Sequence, residues 1–219
     1  FSSEKKLPDL LLIDGGNLGG LSGGHAHADS LSIILAVGGR SVLTDAGTYT
    51  YHESDELRDR FRSSQAHNTL TIDDQSSSRP GGKFSWLTKA ETTVKNWISK
   101  DRFDFFEASH DGYERLPDNP ATHSRSILFL KNDYWIMRDF VKTTGRHDYR
   151  LNFQFDVGTN PVIERSKDER VCVTEQVSGK TGLRLFTFDH GDLEAESGWV
   201  SKIYGEKSEA QRVGFVSNM

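Results

Sequence analysis

Apolar and polar positions along the chain follow a period of two far more often than a period of 3.6. Leu31 to Val37 is a short apolar run, stopped by Gly38-Gly39 and followed at once by Ser41 to Thr44. Two β-rich runs around a glycine pair predict a hairpin. Thr69 to Ile72 reads as a further strand ending at the turn signal Asp73-Asp74. Ser126 to Leu130 and Tyr134 to Phe140 flank Lys131-Asn132-Asp133, which predicts a second hairpin. Tyr149 to Phe155 alternates strictly, with its aromatics and Leu151 on one side and Arg150, Asn152 and Gln154 on the other. That alternation predicts a half-buried strand. Val171 to Gln176 and Leu183 to Phe188 read as another antiparallel pair.

One helix is expected. Ser54 to Phe61 holds two turns' worth of residues, with Ser54 as N-cap and acids in the first turn. Segments 15–24 and 73–82 are rich in Gly, Ser and Asp and read as loops. No solenoid repeat, low-complexity segment or composition shift calls for a boundary, so residues 1–219 are taken as one domain. The expected fold is all-β: a multi-stranded antiparallel β-sandwich.

Composition agrees with a packed globular domain, with 35% hydrophobic and 27% charged residues. The net charge of -5 argues against a nucleic-acid partner, because polyanion binding would need a local basic patch. Arg58, Arg60, Arg62, Arg79 and Lys83 are candidates for one, or else a solvated loop face. The single cysteine, Cys172, cannot form an internal disulfide and reads as a buried thiol on a strand. No run approaches the length of a membrane span, and no signal peptide is visible. The chain starts at Phe1, which leads us to expect upstream sequence.

Metal-type and acid–base residues concentrate in three places: His25-Ala26-His27-Ala28-Asp29, Asp45, and His67-Asn68. On a strand, His25 and His27 would share a face. Two histidines and a carboxylate suit zinc or a similar divalent ion. Spacing alone leaves three readings open: a metal site, histidines hydrogen-bonded at a polar strand edge, and a metal-free acid–base site.

The longer strings carry a resemblance. Gly24-His25-Ala26-His27-Ala28-Asp29-Ser30-Leu31-Ser32 is similar to the HGHAD-x-LS signature of the heparinase II/III-like lyase family. The segment from Gly39 to Tyr49 resembles that family's element with an aspartate before Gly-Thr-Tyr. Phe61 to Leu70 resembles its FRS-x-x-AHNT element. Weaker similarity continues at His110 to Tyr113, His123 to Arg125 and Tyr134 to Asp139.

The resemblance implies that His27, Asp45 and His67 are metal ligands, usually for zinc, and that His25 lines the cleft and assists catalysis. It implies that one of Tyr49 and Tyr51 reaches the sugar, with Tyr51 preferred, and that at least one packs inside the sandwich. In the Arg-rich segment 58–62, Arg62 is the candidate substrate contact. Ala26 departs from the family's usual glycine, and a site tolerant of it is expected. The implied reaction is β-elimination at a uronic acid of an acidic polysaccharide, with heparin, heparan sulfate and alginate all open. The implied setting is a bacterial periplasmic or secreted enzyme. Its N-terminal α/α toroid would pack against this sandwich and supply further catalytic groups, so the chain alone would have little activity. Two other readings compete: a non-catalytic carbohydrate-binding or structural metal-containing sandwich, and a stand-alone metal-dependent hydrolase.

Overall fold

A computed structural model describes residues 9–20, 22–131, 133–165, 171–177, 181–187 and 191–218, with backbone alone for 165, 171–177 and 181–182. The strands are β1 (Leu10–Ile13), β2 (Ile33–Val37), β3 (Arg40–Leu43), β4 (Leu70–Ile72), β5 (Arg79–Gly82), β6 (Ser85–Thr88), β7 (Thr92–Ser99) and β8 (Phe103–Tyr113). They continue as β9 (Ala121–Leu130), β10 (Trp135–Thr143), β11 (Asp148–Gln154), β12 (Val162–Arg165), β13 (Val171–Val177), β14 (Thr181–Phe186), β15 (Asp192–Ile203) and β16 (Glu206–Asn218). One helix, α1 (Asp55–Phe61), interrupts them. All strand pairs are antiparallel, in sheets ordered β1-β2-β3, β10-β9-β8-β7, β15-β16-β11-β4, β12-β13-β14 and β5-β6.

The all-β expectation holds, and its turn chemistry is visible. Gly38 and Gly39 take φ of 59° and 80°, which closes β2 onto β3 with Val37 opposite Arg40. Asp73 and Asp74 take φ of 52° and 55° and end β4. Ser54 caps α1 by accepting from the Leu57 amide at 3.0 Å, a bond of the kind worth about 1 kcal/mol. The expected pair at 171–188 is β13 and β14, but the Cys172 side chain, Asn132 and Phe1 fall outside what is described. No helix among the described residues is long and apolar enough to cross a membrane.

Two expectations need correction. The stretch expected to be loop at 73–82 contains β5, which pairs with β6. β11 is half-buried only in its first part: Phe153 and, just past the strand, Phe155 enter the main core, and Asn152 and Gln154 on the other face are buried as well. That polar face is covered because neighbouring backbone satisfies it. Asn152 Nδ2 donates to the Thr69 carbonyl, and Gln154 Nε2 donates to the Phe155 carbonyl at 3.1 Å. The main core joins Ile33, Leu35, Val42 and Leu43 to Phe153, Phe155, Val213, Ile127 and Leu183, so four sheets share it.

A buried polar chain ties the β7–β10 sheet to the rest. The Gly112 amide donates to His110 Nδ1, so His110 Nε2 carries the proton and donates to His123 Nδ1 at 3.1 Å. His123 Nε2 then donates to Asp139 Oδ1 at 2.6 Å. Arg125 grips the same carboxylate, with Nε to Oδ1 at 2.9 Å and Nη2 to Oδ2 at 3.2 Å. Its Nη1 reaches across to the Leu31 and Asn68 carbonyls at 2.6 and 2.8 Å. Burial would raise the Asp139 pKa, but Arg125 and the His123 hydrogen bond hold it well below the usual carboxylate range. Burial pushes His110 and His123 down, so both are neutral near pH 7.

Two outcomes follow. Asp139→Asn should lower the unfolding free energy by about 3–5 kcal/mol, because it leaves the buried Arg125 uncompensated; urea denaturation measures this. The depressed histidines bind protons in the unfolded chain before the folded one, so their contribution is intact above about pH 6.5 and is lost as pH falls from there towards their folded values. Asp139, also depressed, adds a further loss below about pH 4. A denaturation midpoint unchanged between pH 7 and 5 would contradict the buried neutral pair.

Candidate metal centre and cleft

The His-Ala-His-Ala-Asp run is not a strand. Residues 22–32 are turns and irregular backbone, whose amides bond elsewhere than to a ladder. The Ala26 amide donates to the Gly23 carbonyl, the Ala28 amide to Arg62, and the Leu31 amide to Asp14. Ser64 Oγ donates to the Ala28 carbonyl at 2.6 Å, so the run lies docked along the segment that begins at Phe61. Strand geometry would have aimed both histidines into one cavity. The looped backbone instead sends His27 inward to His67 and leaves His25 exposed beside Tyr51. Ala26 is not among the residues with positive φ, so the alanine fits without strain.

Asp45 is oriented by its own turn. The Gly47 amide donates to its Oδ1 at 2.7 Å, leaving Oδ2 to face His67 Nδ1 at 2.8 Å. Gly47 itself admits no side chain: its φ is +75°, and a Cβ there would sit 2.1 Å from the Ser201 carbonyl oxygen. Asn68 locks the next residue in place. Its side chain donates to the Ile33 and Thr44 carbonyls at 2.7 and 3.0 Å and accepts from the Gln154 amide at 2.5 Å. The ends of β2, β3 and β11 thereby fix where His67 points.

The ligand atoms of His27, Asp45 and His67 lie within 4.8 Å of one another. Zinc ligands at about 2.1 Å in a tetrahedron are about 3.4 Å apart, so small side-chain movements would let these three share an ion. Burial lowers the His27 pKa to about 3, helped by the charge of His67, so its imidazole is neutral and carries a lone pair. For His67 burial works in the same direction, but the Asp45 carboxylate overrides it and raises the value to about 9. For Asp45 burial raises the pKa, and His67 with the Gly47 amide brings it well below the usual range. His67 Nε2 is buried without a well-formed hydrogen bond, although the Phe61 carbonyl is close enough to favour a proton on the ring. A neutral His27, the Asp45 carboxylate and a His67 that gives up a ring proton on binding form a donor set that fits a divalent ion.

The two tyrosines separate clearly. Tyr49, at φ 59°, packs with Ala46, Phe61 and Ala66. Tyr51 faces out, its Oη 3.0 Å from His25 Nδ1. Arg58, read from sequence only as part of a basic patch, is fully buried: its guanidinium lies 4.8 Å from the Tyr51 ring and donates to His27 Nε2 at 3.2 Å. An ion bound through that nitrogen would displace this contact.

Arg62 does not reach the cleft, and its expected role as a substrate contact does not fit its position. It is completely buried, donates to Asp59 Oδ1 at 2.9 Å and to the Gly82 carbonyl at 2.7 Å, and lies 4.6 Å from the Trp86 ring. Its planar fork holds the β5–β6 turn. With Arg58 and Arg62 inside, the expected basic patch is reduced to Arg60, Arg79 and Lys83, and Lys83 pairs with Asp55.

The fold and this cluster define a β-sandwich domain of the heparinase II/III-like type. A family model described as "Heparinase II/III-like, C-terminal" matches residues 10–217, and the chain belongs to that family. A heparin-sulfate lyase of Pedobacter heparinus is 27% identical over 195 residues, covering 88% of this chain and 27% of its own length. One from Bacteroides stercoris is 23% identical, again over 27% of its length. The chain therefore spans about a quarter of these relatives. A crystal structure of a heparan sulfate lyase mutant from Pedobacter heparinus superposes with a TM-score of 0.79 at 22% identity, covering 96% of this chain and 31% of that one. A heparinase III structure gives 0.69 at 17% identity, covering 96% of this chain and 31% of that one.

Arg62→Ala should lower stability by about 3 kcal/mol or more, since it leaves the turn carbonyls without their donor and a cavity against Trp86, and Arg62→Lys should recover less than half of this. Chemical denaturation measures both, and an unshifted midpoint for Arg62→Ala would show that the guanidinium does not hold the turn.

Proposed function

We propose that this chain is the sandwich part of a longer enzyme that cleaves a uronate-containing polysaccharide by β-elimination. The observation that carries this reading is the His25–Tyr51 hydrogen bond, exposed at the surface and standing beside the His27–Asp45–His67 cluster. β-Elimination needs a base for the proton on C5 of the uronate and an acid for the departing O4. An imidazole and a phenol within hydrogen-bond reach can exchange a proton between them, which lets the pair serve both steps. Buried Arg58 puts a fixed positive charge against the Tyr51 ring, 4.8 Å from its centroid, where it would stabilise negative charge developing on the phenol.

His27, Asp45 and His67 would hold zinc or a similar divalent ion. When bound, it would brace the loop that carries His25 and add positive field to the cleft. Since the relatives are named heparin-sulfate lyases, a glycosaminoglycan is a better candidate than alginate. Such a substrate places the enzyme in the periplasm or outside the cell. The remainder of the cleft, with any helical domain, would come from the part of the protein beyond this chain.

His25→Ala in the full-length protein should cut turnover of heparan sulfate by about a hundredfold or more, with metal content and thermal midpoint retained. His27→Ala should lose metal and stability together. Product is followed by the ultraviolet absorbance of the unsaturated uronate and metal by elemental analysis. Absence of unsaturated product from the unmodified enzyme refutes the lyase reading, and identical behaviour of the two variants refutes the division of roles.

A further inference from the structure

Next to the His25–Tyr51 pair the chain exposes two aromatic rings that the chemistry above does not use. Phe84 sits in the β5–β6 turn and is 44% exposed; Tyr204 sits at the tip of the β15–β16 hairpin and is 56% exposed. Both rings lie against Tyr51. The Tyr204 centroid is 5.6 Å from that of Tyr51 at an interplanar angle of 29°, and the Phe84 centroid is 5.4 Å away at 34°. Phe84 also meets the His25 ring, at 5.9 Å. Three separate segments thus converge to form one open aromatic surface around Tyr51.

Neither ring is placed by burial. Tyr204 Oη accepts from the Tyr51 amide at 3.2 Å, and the neighbouring Gly205 amide donates to the Tyr49 carbonyl at 2.7 Å, so the hairpin tip is fastened to the backbone on either side of Thr50. Phe84 stands on the turn whose carbonyls Arg62 holds. Trp86 Nε1 donates to the Gly23 carbonyl at 2.9 Å, which docks the same hairpin on the loop carrying His25. An exposed ring fixed by its backbone keeps its face free and loses little entropy when something stacks on it.

We propose that Phe84 and Tyr204 form a sugar-stacking subsite flanking the His25–Tyr51 pair. Its ligand is a pyranose ring of the acidic polysaccharide next to the one being cleaved. The C–H-rich face of a pyranose carries slight positive charge and matches the negative face of an aromatic ring. Lys83, adjacent to Phe84 and only weakly engaged with Asp55 at 3.4 Å, is placed to meet the carboxylate or sulfate of that sugar. The subsite rests on the lyase reading for its neighbour, but not for its own binding.

The test uses Phe84→Ala, Tyr204→Ala and Tyr204→Phe. The probe is an unsulfated oligosaccharide of alternating glucuronate and N-acetylglucosamine. Calorimetry on this chain should show the two alanine variants binding about three- to tenfold more weakly, with Tyr204→Phe close to the parent. In the full-length enzyme the alanine variants should raise KM by a similar factor and leave kcat within about twofold. Unchanged affinity and KM overturn the proposal. So does a lowered thermal midpoint with KM unchanged, which would mean that another part of the protein covers the rings, and so does a loss confined to kcat. If the oligosaccharide binds in this manner but the unmodified enzyme forms no unsaturated product, the subsite stands and the proposed reaction falls.

Discussion

The contact on which the rest of this structure depends is the buried Arg125 guanidinium. One side of it is neutralised by Asp139 within the β7–β10 sheet; the other holds the Leu31 and Asn68 carbonyls. Leu31 closes the loop that carries His25 and His27, and Asn68 follows His67. Leu31 is held at φ 63°, a conformation that costs a branched side chain of order 1–3 kcal/mol. It persists because its amide, its carbonyl and its buried side chain are all engaged. A single cation therefore sets the spacing between two of the three segments that build the cluster.

The third segment is set by exclusion. Gly47 fits under the Ser201 carbonyl only because it lacks a side chain, and from there its amide aims Asp45. Metal-type residues, cleft residues and anchoring residues alternate at intervals of one or two along each motif. That interleaving explains why short sequence strings carry so much of the site: His67 and Asn68 are neighbours that do unrelated work, one facing the cluster and the other bridging three strands.

Much of the fold was legible. Hairpins with glycine or paired aspartates at their turns and the capped helix follow from local chemistry. β7 and β15 carried no clear signal because they are rich in Thr, Glu, Ser and Lys and exposed along much of their length, and β16 because polar residues break its alternation. Their pairing is fixed by long hairpins and not by alternation. At the site, residue types singled out His25, His27, Asp45 and His67 as candidates and the resemblance divided their roles, but the strand reading gave the wrong backbone for the first two, because a His-x-His pair reads equally well on a strand or a loop. Arg62 was misread because a charged residue was assumed to face solvent, while three turn carbonyls, Asp59 and an indole ring make burial favourable. The similarities at His110, His123–Arg125 and Tyr134–Asp139 were visible as strings. Their meaning was not, because the residues meet only when β8, β9 and β10 align.

The fastening of the Tyr204 hairpin tip has a consequence for how such a protein can diversify. The Gly205 anchor is a backbone amide, and the turn under Phe84 is held by its carbonyls. What fixes these two positions is therefore largely backbone, with the Tyr204 hydroxyl adding a side-chain anchor at the hairpin tip. Descendants of this chain can exchange rings for cations, amides or smaller groups at the two tips while the histidine cluster beneath stays as it is. The architecture separates a conservative floor from a variable rim, as an antibody framework does with its loops, so the rim can be rebuilt without disturbing the cluster.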